Sequence, residues 1–283
     1  MGDALTGLGV GVAYGVIAAA IAMASRATRT LHLGIGPAVV LGALVHLTLA
    51  AAGALPVAVT LAAGLATGAL ASALIEPLVL RRVEDEALRV VGTFVVGASI
   101  AAVAASFIGA GTVRPTPLLD PGALVVAGTV VPGPAFGAVI IGVPLAAALA
   151  WVLSSTRWGA QVRLVGGSPR AAERIGVRPG WVRLSALLVA GALGTVAVLL
   201  AAPLTLLGLP QAAGLTLRAV AAALLARDRP VVAMLFGVVM GVAEAVVQSL
   251  APAVGADAAV ALVVLAGLLV TGGRHAQSWG RAW

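Results

Sequence analysis

The feature that most constrains this chain is a succession of long apolar runs without a formal charge. They cover 4–25, 30–75, 90–113, 121–156, 184–217, 230–243 and 258–273. About 20 apolar residues in helical form span the hydrocarbon of a bilayer, and in lipid the backbone must satisfy its own N–H and C=O groups. A closed β-barrel does that too, but its strands alternate polar and apolar residues, whereas these runs are continuous. A soluble fold is excluded by what lies between them. Ten acids and seventeen bases are spread over 283 residues, of which 61% are hydrophobic, and the mean hydropathy is +1.13. Soluble domains carry about 25% charged residues, and this chain has 10%. The expected class is an all-α polytopic integral membrane protein with one membrane domain over 1–283.

The run 30–75 must hold two spans, broken near Gly53-Ala54-Leu55-Pro56. Spans are therefore expected at 5–25, 33–52, 56–75, 90–110, 135–153, 184–202, 231–250 and 256–273. Segment 212–226 is either a ninth span or a half-helix dipping into the membrane, so the count is eight or nine. Met1-Gly2-Asp3 lacks a basic start, so the first run is expected to stay as a span rather than be cleaved as a signal peptide. Every base is arginine, and no cysteine is present, which removes disulfides and thiolate chemistry.

The net charge of +7 is no nucleic-acid signal, because the arginines are scattered singly or in pairs between spans. Arg26 and Arg29, then Arg81, Arg82 and Arg89, then six arginines from Arg157 to Arg183, then Arg227 and Arg229, and finally Arg274 and Arg281 fall in alternate connections. That places fifteen on one side, Arg114 on the other, and Arg218 inside a segment. The positive-inside rule then puts the N-terminus outside and the C-terminus in the cytoplasm. This parity favours nine crossings.

Two connections are long. The outer one, 111–134, contains five prolines, too many for a helix interior; its stretch 123–131 suits a short strand pair or a surface segment. The inner one, 154–183, is the most polar part of the chain. Within it, Ser168 suits an N-cap, Pro169 the first helical position, and Gly176 the left-handed position past the end. A helix over 169–175 is about 10 Å long, too short to persist alone in water. It is either a capped interfacial helix with solvated arginines or an element that plugs into a cytoplasmic subunit.

The ordered set of motifs resembles the permease subunit of branched-chain amino acid (Liv-type) ABC importers. The likeness is carried by Gly11-Val12-Ala13-Tyr14-Gly15-Val16-Ile17-Ala18, by Thr156-Arg157-Trp158-Gly159-Ala160-Gln161-Val162-Arg163, and by Arg170-Ala171-Ala172-Glu173-Arg174-Ile175-Gly176-Val177. Ala190-Gly191-Ala192-Leu193-Gly194, Gly214-Leu215-Thr216-Leu217-Arg218-Ala219-Val220 and Gly241-Val242-Ala243-Glu244 extend it. Two places depart from the family. Its Asn-Phe-Ala-His-Gly stretch is replaced by His32-Leu33-Gly34-Ile35-Gly36, and its glycine-rich late turn by Arg227-Asp228-Arg229-Pro230.

The resemblance implies a permease for branched-chain or related small amino acids in a bacterial cytoplasmic membrane. Its implied partners are cytoplasmic ABC ATPase subunits, a second permease of the same or a different chain, and an extracytoplasmic solute-binding protein; neither nucleic acid nor a cofactor is expected. The coupling residues would be Ser168, Pro169, Arg170, Ala171, Glu173, Arg174 and Gly176.

Individual residues add candidates. Gly7, Gly11 and Gly15 form a small-residue stripe that lets helices approach closely in lipid. Tyr14 lies beside it. Glu244 is the acid well inside an apolar run and should face the interior, with Gln248 a turn away and Arg218 its natural partner. Tyr14, His32, Arg218 and Glu244 are the candidates for the translocation pathway; His46 and His275 read as structural. No histidines stand at metal spacing, and Glu84-Asp85-Glu86 reads as a solvated loop beside Arg81 and Arg82. No P-loop or zinc-protease motif is present, so the chain is expected to be a transport subunit and not an enzyme. An ion-coupled secondary transporter is the alternative, which would need its own ion site near the midplane. An intramembrane enzyme would need clustered catalytic groups, which the sequence lacks.

Overall fold

The computed structural model describes residues 2–108, 111, 115–126, 128–205, 207–209, 211–226, 229–250, 260–261 and 264–265. Apart from those last four positions, the expected span 256–273 lies outside the described residues, as do Arg114, Arg227, Arg274, Arg281 and His275. In chain order the elements are α1 (Gly2–Thr28), α2 (Ile35–Ala51), α3 (Val57–Ala73), a π turn at Glu76–Leu80, and α4 (Glu86–Ile108). Then come β1 (Leu124–Val126), β2 (Thr129–Val131), α5 (Gly133–Ser155), α6 (Arg157–Gly167), α7 (Pro169–Arg174), α8 (Pro179–Ala201), α9 (Gln211–Leu225) and α10 (Pro230–Leu250). Among the described residues, six helices are long and apolar enough to cross a membrane, and Ile35–Ala51 and Ala212–Leu225 are shorter apolar helices. The connection 154–183 is more ordered than expected: α6 occupies its first half, ahead of the short helix at 169.

Each long helix follows from its apolar run, and the breaks follow from local chemistry. Pro56 precedes α3, and Gly53 turns the chain at φ +67. Pro77 cannot donate a backbone bond, and just past α3 the ladder widens, so that Arg81 N–H reaches Glu76 C=O at 3.1 Å. In the connection 111–134 the strand pair forms, with Leu124 opposite Val131 and Gly128 at φ +78 in the turn. Val131 is buried and β2 packs on α1.

α1 is the central helix, packed on α5, α8, α9 and α10. Its glycine stripe makes this possible. A Cβ on Gly11 would stand 2.6 Å from the Val238 carbonyl oxygen, one on Gly15 2.6 Å from that of Met234, and one on Gly7 2.8 Å from that of Gly241. Rising numbers on α1 thus meet falling numbers on α10, so the two helices run antiparallel with backbones in near contact. α2 and α3 pair in the same way: a Cβ on Gly64 would stand 2.6 Å from the Gly42 carbonyl oxygen. His46 on α2 also bonds Thr60 on α3, Nδ1 to Oγ1, at 3.1 Å. Outward faces stay apolar, with Leu70, Phe94, Phe107, Ile140, Leu235 and Leu250 exposed, as a lipid-facing surface requires.

Candidate functional site

Two groups of residues carry chemistry, one within the membrane-spanning bundle and one at the end where α5 hands over to α8. In the bundle, the α1–α10 approach sets the register of Tyr14 and Glu244, and α9 packs against both helices. Arg218 of α9 thereby meets them. Its Nη2 lies 3.3 Å from Glu244 Oε1, with the two side chains 15% and 14% exposed. Its guanidinium carbon stands 5.9 Å from the centre of the Tyr14 ring, within cation–π range. Gly214, one turn earlier on α9, leaves the room: a Cβ there would be 2.8 Å from Arg218 Nη1. Arg218 also lines a cavity of about 580 Å³ together with Gly214, Leu217, Ala221, Val260 and Val264. A guanidinium held beside a carboxylate and an aromatic face, yet bordering a cavity, can receive the carboxylate of a solute while Glu244 keeps the charge compensated.

His32 is not brought to this group. It sits in the connection between α1 and α2, fully buried, with Nε2 2.6 Å from Thr28 Oγ1. The Thr28 hydroxyl donates to Ala24 C=O at 2.8 Å, which makes the ring the donor from Nε2. Burial holds its pKa down at about 3, so the ring is neutral at physiological pH. Tyr14 lies fourteen residues from Thr28, about 21 Å along α1. The connection is tied to α4 by Thr93, whose Oγ1 accepts from Leu33 N–H at 3.2 Å.

At the other site, α6 and α7 form a helical hairpin. Thr156 caps α6, its Oγ1 accepting from Gly159 N–H at 3.1 Å, and Ser168 caps α7, its Oγ accepting from Ala171 N–H at 3.2 Å. α7 runs Pro169–Arg174 and is closed by Gly176 at φ +83, with Val177 N–H on Ala172 C=O at 3.0 Å. Ala172 is completely buried in a small core with Ala27 of α1, Val162 and Val165 of α6, and Val182 and Ala186 of α8. Arg170, Ala171, Glu173, Arg174 and Gly176 are exposed. Trp158 of α6 donates from its indole N–H to Ser185 Oγ of α8 at 2.8 Å. The hairpin is thus seated on both α1 and α8 through one face and offers a charged face outward.

Two structural features escape a reading of the sequence. α6 contains Gly159, Gly166 and Gly167, which blur its helical signal; the cap Thr156 was the available clue. Glu76 sits at the edge of a span and is 1% exposed, with Arg81 Nε 2.6 Å from its Oε2. An acid directly before a proline at the end of an apolar run was the signal there.

A family model, that of the branched-chain amino acid transport system permease component, matches residues 4–271. No curated protein matches the chain in sequence. Among solved structures it is similar to PsaBC from Streptococcus pneumoniae in complex with Fab, at 13% identity and a TM-score of 0.54, over 95% of this chain and 89% of that one. At that identity the likeness is one of fold.

Proposed function

Starting from a chain that belongs to the branched-chain amino acid transport system permease family, a multi-pass membrane permease, we propose that it is one membrane half of an ATP-driven importer of branched-chain or related small amino acids. The whole chain acts as one permease domain in a bacterial cytoplasmic membrane, with nine crossings, the N-terminus outside and the C-terminus inside. Separate cytoplasmic ATPase subunits supply the energy, a second permease completes the membrane unit, and a solute-binding protein docks on the outer surface around β1 and β2. Arg218, Glu244 and Tyr14 line the route and meet the solute's charged end.

The observation that carries this reading is the seating of α7. Ala172 locks it to α1 and α8 while Arg170, Glu173 and Arg174 remain exposed. Force applied to that exposed face reaches the central span and the span that follows the loop directly. Coupling demands contacts that differ between two states of the transporter, and an exposed, rigidly anchored charged helix can provide them. Replacing Glu173 and Arg174 together by alanine is expected to leave membrane insertion and ATP hydrolysis by the assembled complex in place while uptake fails. Uptake at the parent rate in that variant refutes the coupling role.

A further inference from the structure

Beside the transport machinery, a cleft runs between α1, α5, α6 and α10 with two chemically distinct halves. The half near α6 is a cavity of about 160 Å³ bordered by Arg26, Ser154 and Arg163. The other half, also about 160 Å³, is bordered by Ala19, Val143, Ala146, Ala147 and Met234. The two halves share Ala150, Pro230 and Val231 as walls, so they form one track that is cationic at one end and apolar along the rest. Each half has room on the order of ten waters, far more than a single ion needs.

Among the described residues, no carboxylate borders either half. Among the described residues the two ion pairs involve Arg81 and Arg218, so neither Arg26 nor Arg163 takes part in one. One guanidinium nitrogen of Arg163 donates to the Leu153 carbonyl, which fixes the group at the lip of the cleft and leaves further N–H groups to donate. Pro230 and Val231 open α10, a helix of 21 residues, so the positive end of its dipole adds to the same potential. Two guanidiniums and a helix start converge at the end of the spanning segment of α1, with no acid among the described lining residues. Basic pockets between membrane helices at this depth suit the phosphate of an anionic lipid.

We propose that this cleft is a binding site for one anionic glycerophospholipid, its phosphate held between Arg26 and Arg163 and an acyl chain laid along Ala147 and Met234. Net negative charge is required because a choline or ethanolamine headgroup would bring a cation next to two guanidiniums. The lipid fills the gap left between α1, α5, α6 and α10. The site needs only that α1, α5 and α10 sit in a bilayer with α6 at its edge, so it stands or falls separately from the transport cycle.

The test uses the full chain purified in mild detergent and stripped of lipid. Phosphatidylglycerol, phosphatidylcholine with the same acyl chains, and inorganic phosphate are titrated in turn, with native mass spectrometry reading adducts and thermal melting reading stabilisation. Phosphatidylglycerol is expected to bind about ten-fold or more tighter than phosphatidylcholine, a difference of one decade in Kd. Arg26→Gln with Arg163→Gln should abolish that preference, and Ala147→Trp, which keeps both arginines but blocks the apolar half, should weaken both lipids. Arg82→Gln, which removes an arginine away from the cleft, should change neither. Equal retention of the two lipids, an unchanged preference in the double arginine variant, or undiminished binding in Ala147→Trp overturns the proposal. Inorganic phosphate matching phosphatidylglycerol does so as well.

Discussion

Breaking the Arg218–Glu244 pair on one side only should damage the protein more than removing it whole. At 3.3 Å the gross attraction of two unit charges is about 5 kcal/mol at an effective dielectric of about 20. With both side chains about 15% exposed, little of it is screened by salt. Removing one partner withdraws the opposite charge from the other in a poorly solvated place, a loss of about 3–5 kcal/mol for a buried pair, whereas replacing both by apolar groups of similar size is often neutral. Arg218→Ala and Glu244→Ala should therefore each lower stability by about 3 kcal/mol, and Arg218→Met with Glu244→Leu by less than either alone. Denaturant unfolding in lipid nanodiscs measures the cycle, and uptake in proteoliposomes is read in parallel. The exchange Arg218→Glu with Glu244→Arg should recover stability. If that exchanged protein folds but does not transport, the guanidinium is needed at its own position on the cavity wall. Single losses that add to within about 0.5 kcal/mol in the double variant, with no recovery in the exchanged protein, refute the pairing argument.

Gly11→Leu forces a side chain to within 2.6 Å of the Val238 carbonyl oxygen at its first carbon; overpacking of that kind costs about 1–3 kcal/mol, visible as a lowered melting temperature. Gly111→Ala, where an added Cβ meets nothing within 4 Å among the described residues, serves as the neutral control. Ser168→Ala removes the cap on Ala171 N–H and should lose about 1 kcal/mol locally, seen as faster amide exchange confined to α7 with uptake reduced. For His32 the sign of the pH effect follows from a folded pKa of about 3 against an ordinary 6.5. Between those values the unfolded chain holds the extra proton, so stability is full above pH 6.5 and falls by about 1.4 kcal/mol per unit as pH drops towards 3. Melting curves across pH 4–7 should show this slope, and His32→Gln should flatten it.

Much of the fold is legible in one dimension because lipid makes helix formation a local matter. A backbone without water must close its own bonds, so the apolar runs declare helices, and Gly53, Pro56 and Pro132 declare breaks. The caps of α7 are equally local, since Ser168, Pro169 and Gly176 act on neighbours within one turn. Glu76 and α6 were less visible for the opposite reason. Glu76 reads as part of a polar loop until Pro77 and the π turn tuck it inward against Arg81. Trp158, Val162 and Val165 of α6 do stand at helical spacing, but only packing shows that this stripe lies on α1 and α8.

The sequence by itself determined which stretches are apolar enough to enter a membrane, where the scarce charges cluster, and which helix faces are small enough to touch. Register between helices belongs to the tertiary structure. The glycine stripe says that α1 can approach a partner closely, but only packing decides that the partner is α10, antiparallel, with Gly241 opposite Gly7 and Met234 opposite Gly15. That register, together with α9 lying against both, carries Tyr14, Arg218 and Glu244 from three separate helices to one point. It also opens the cleft that sets Arg26 beside Arg163. Such meetings depend on side-chain volumes summed along whole interfaces, a long-range property that no single segment encodes.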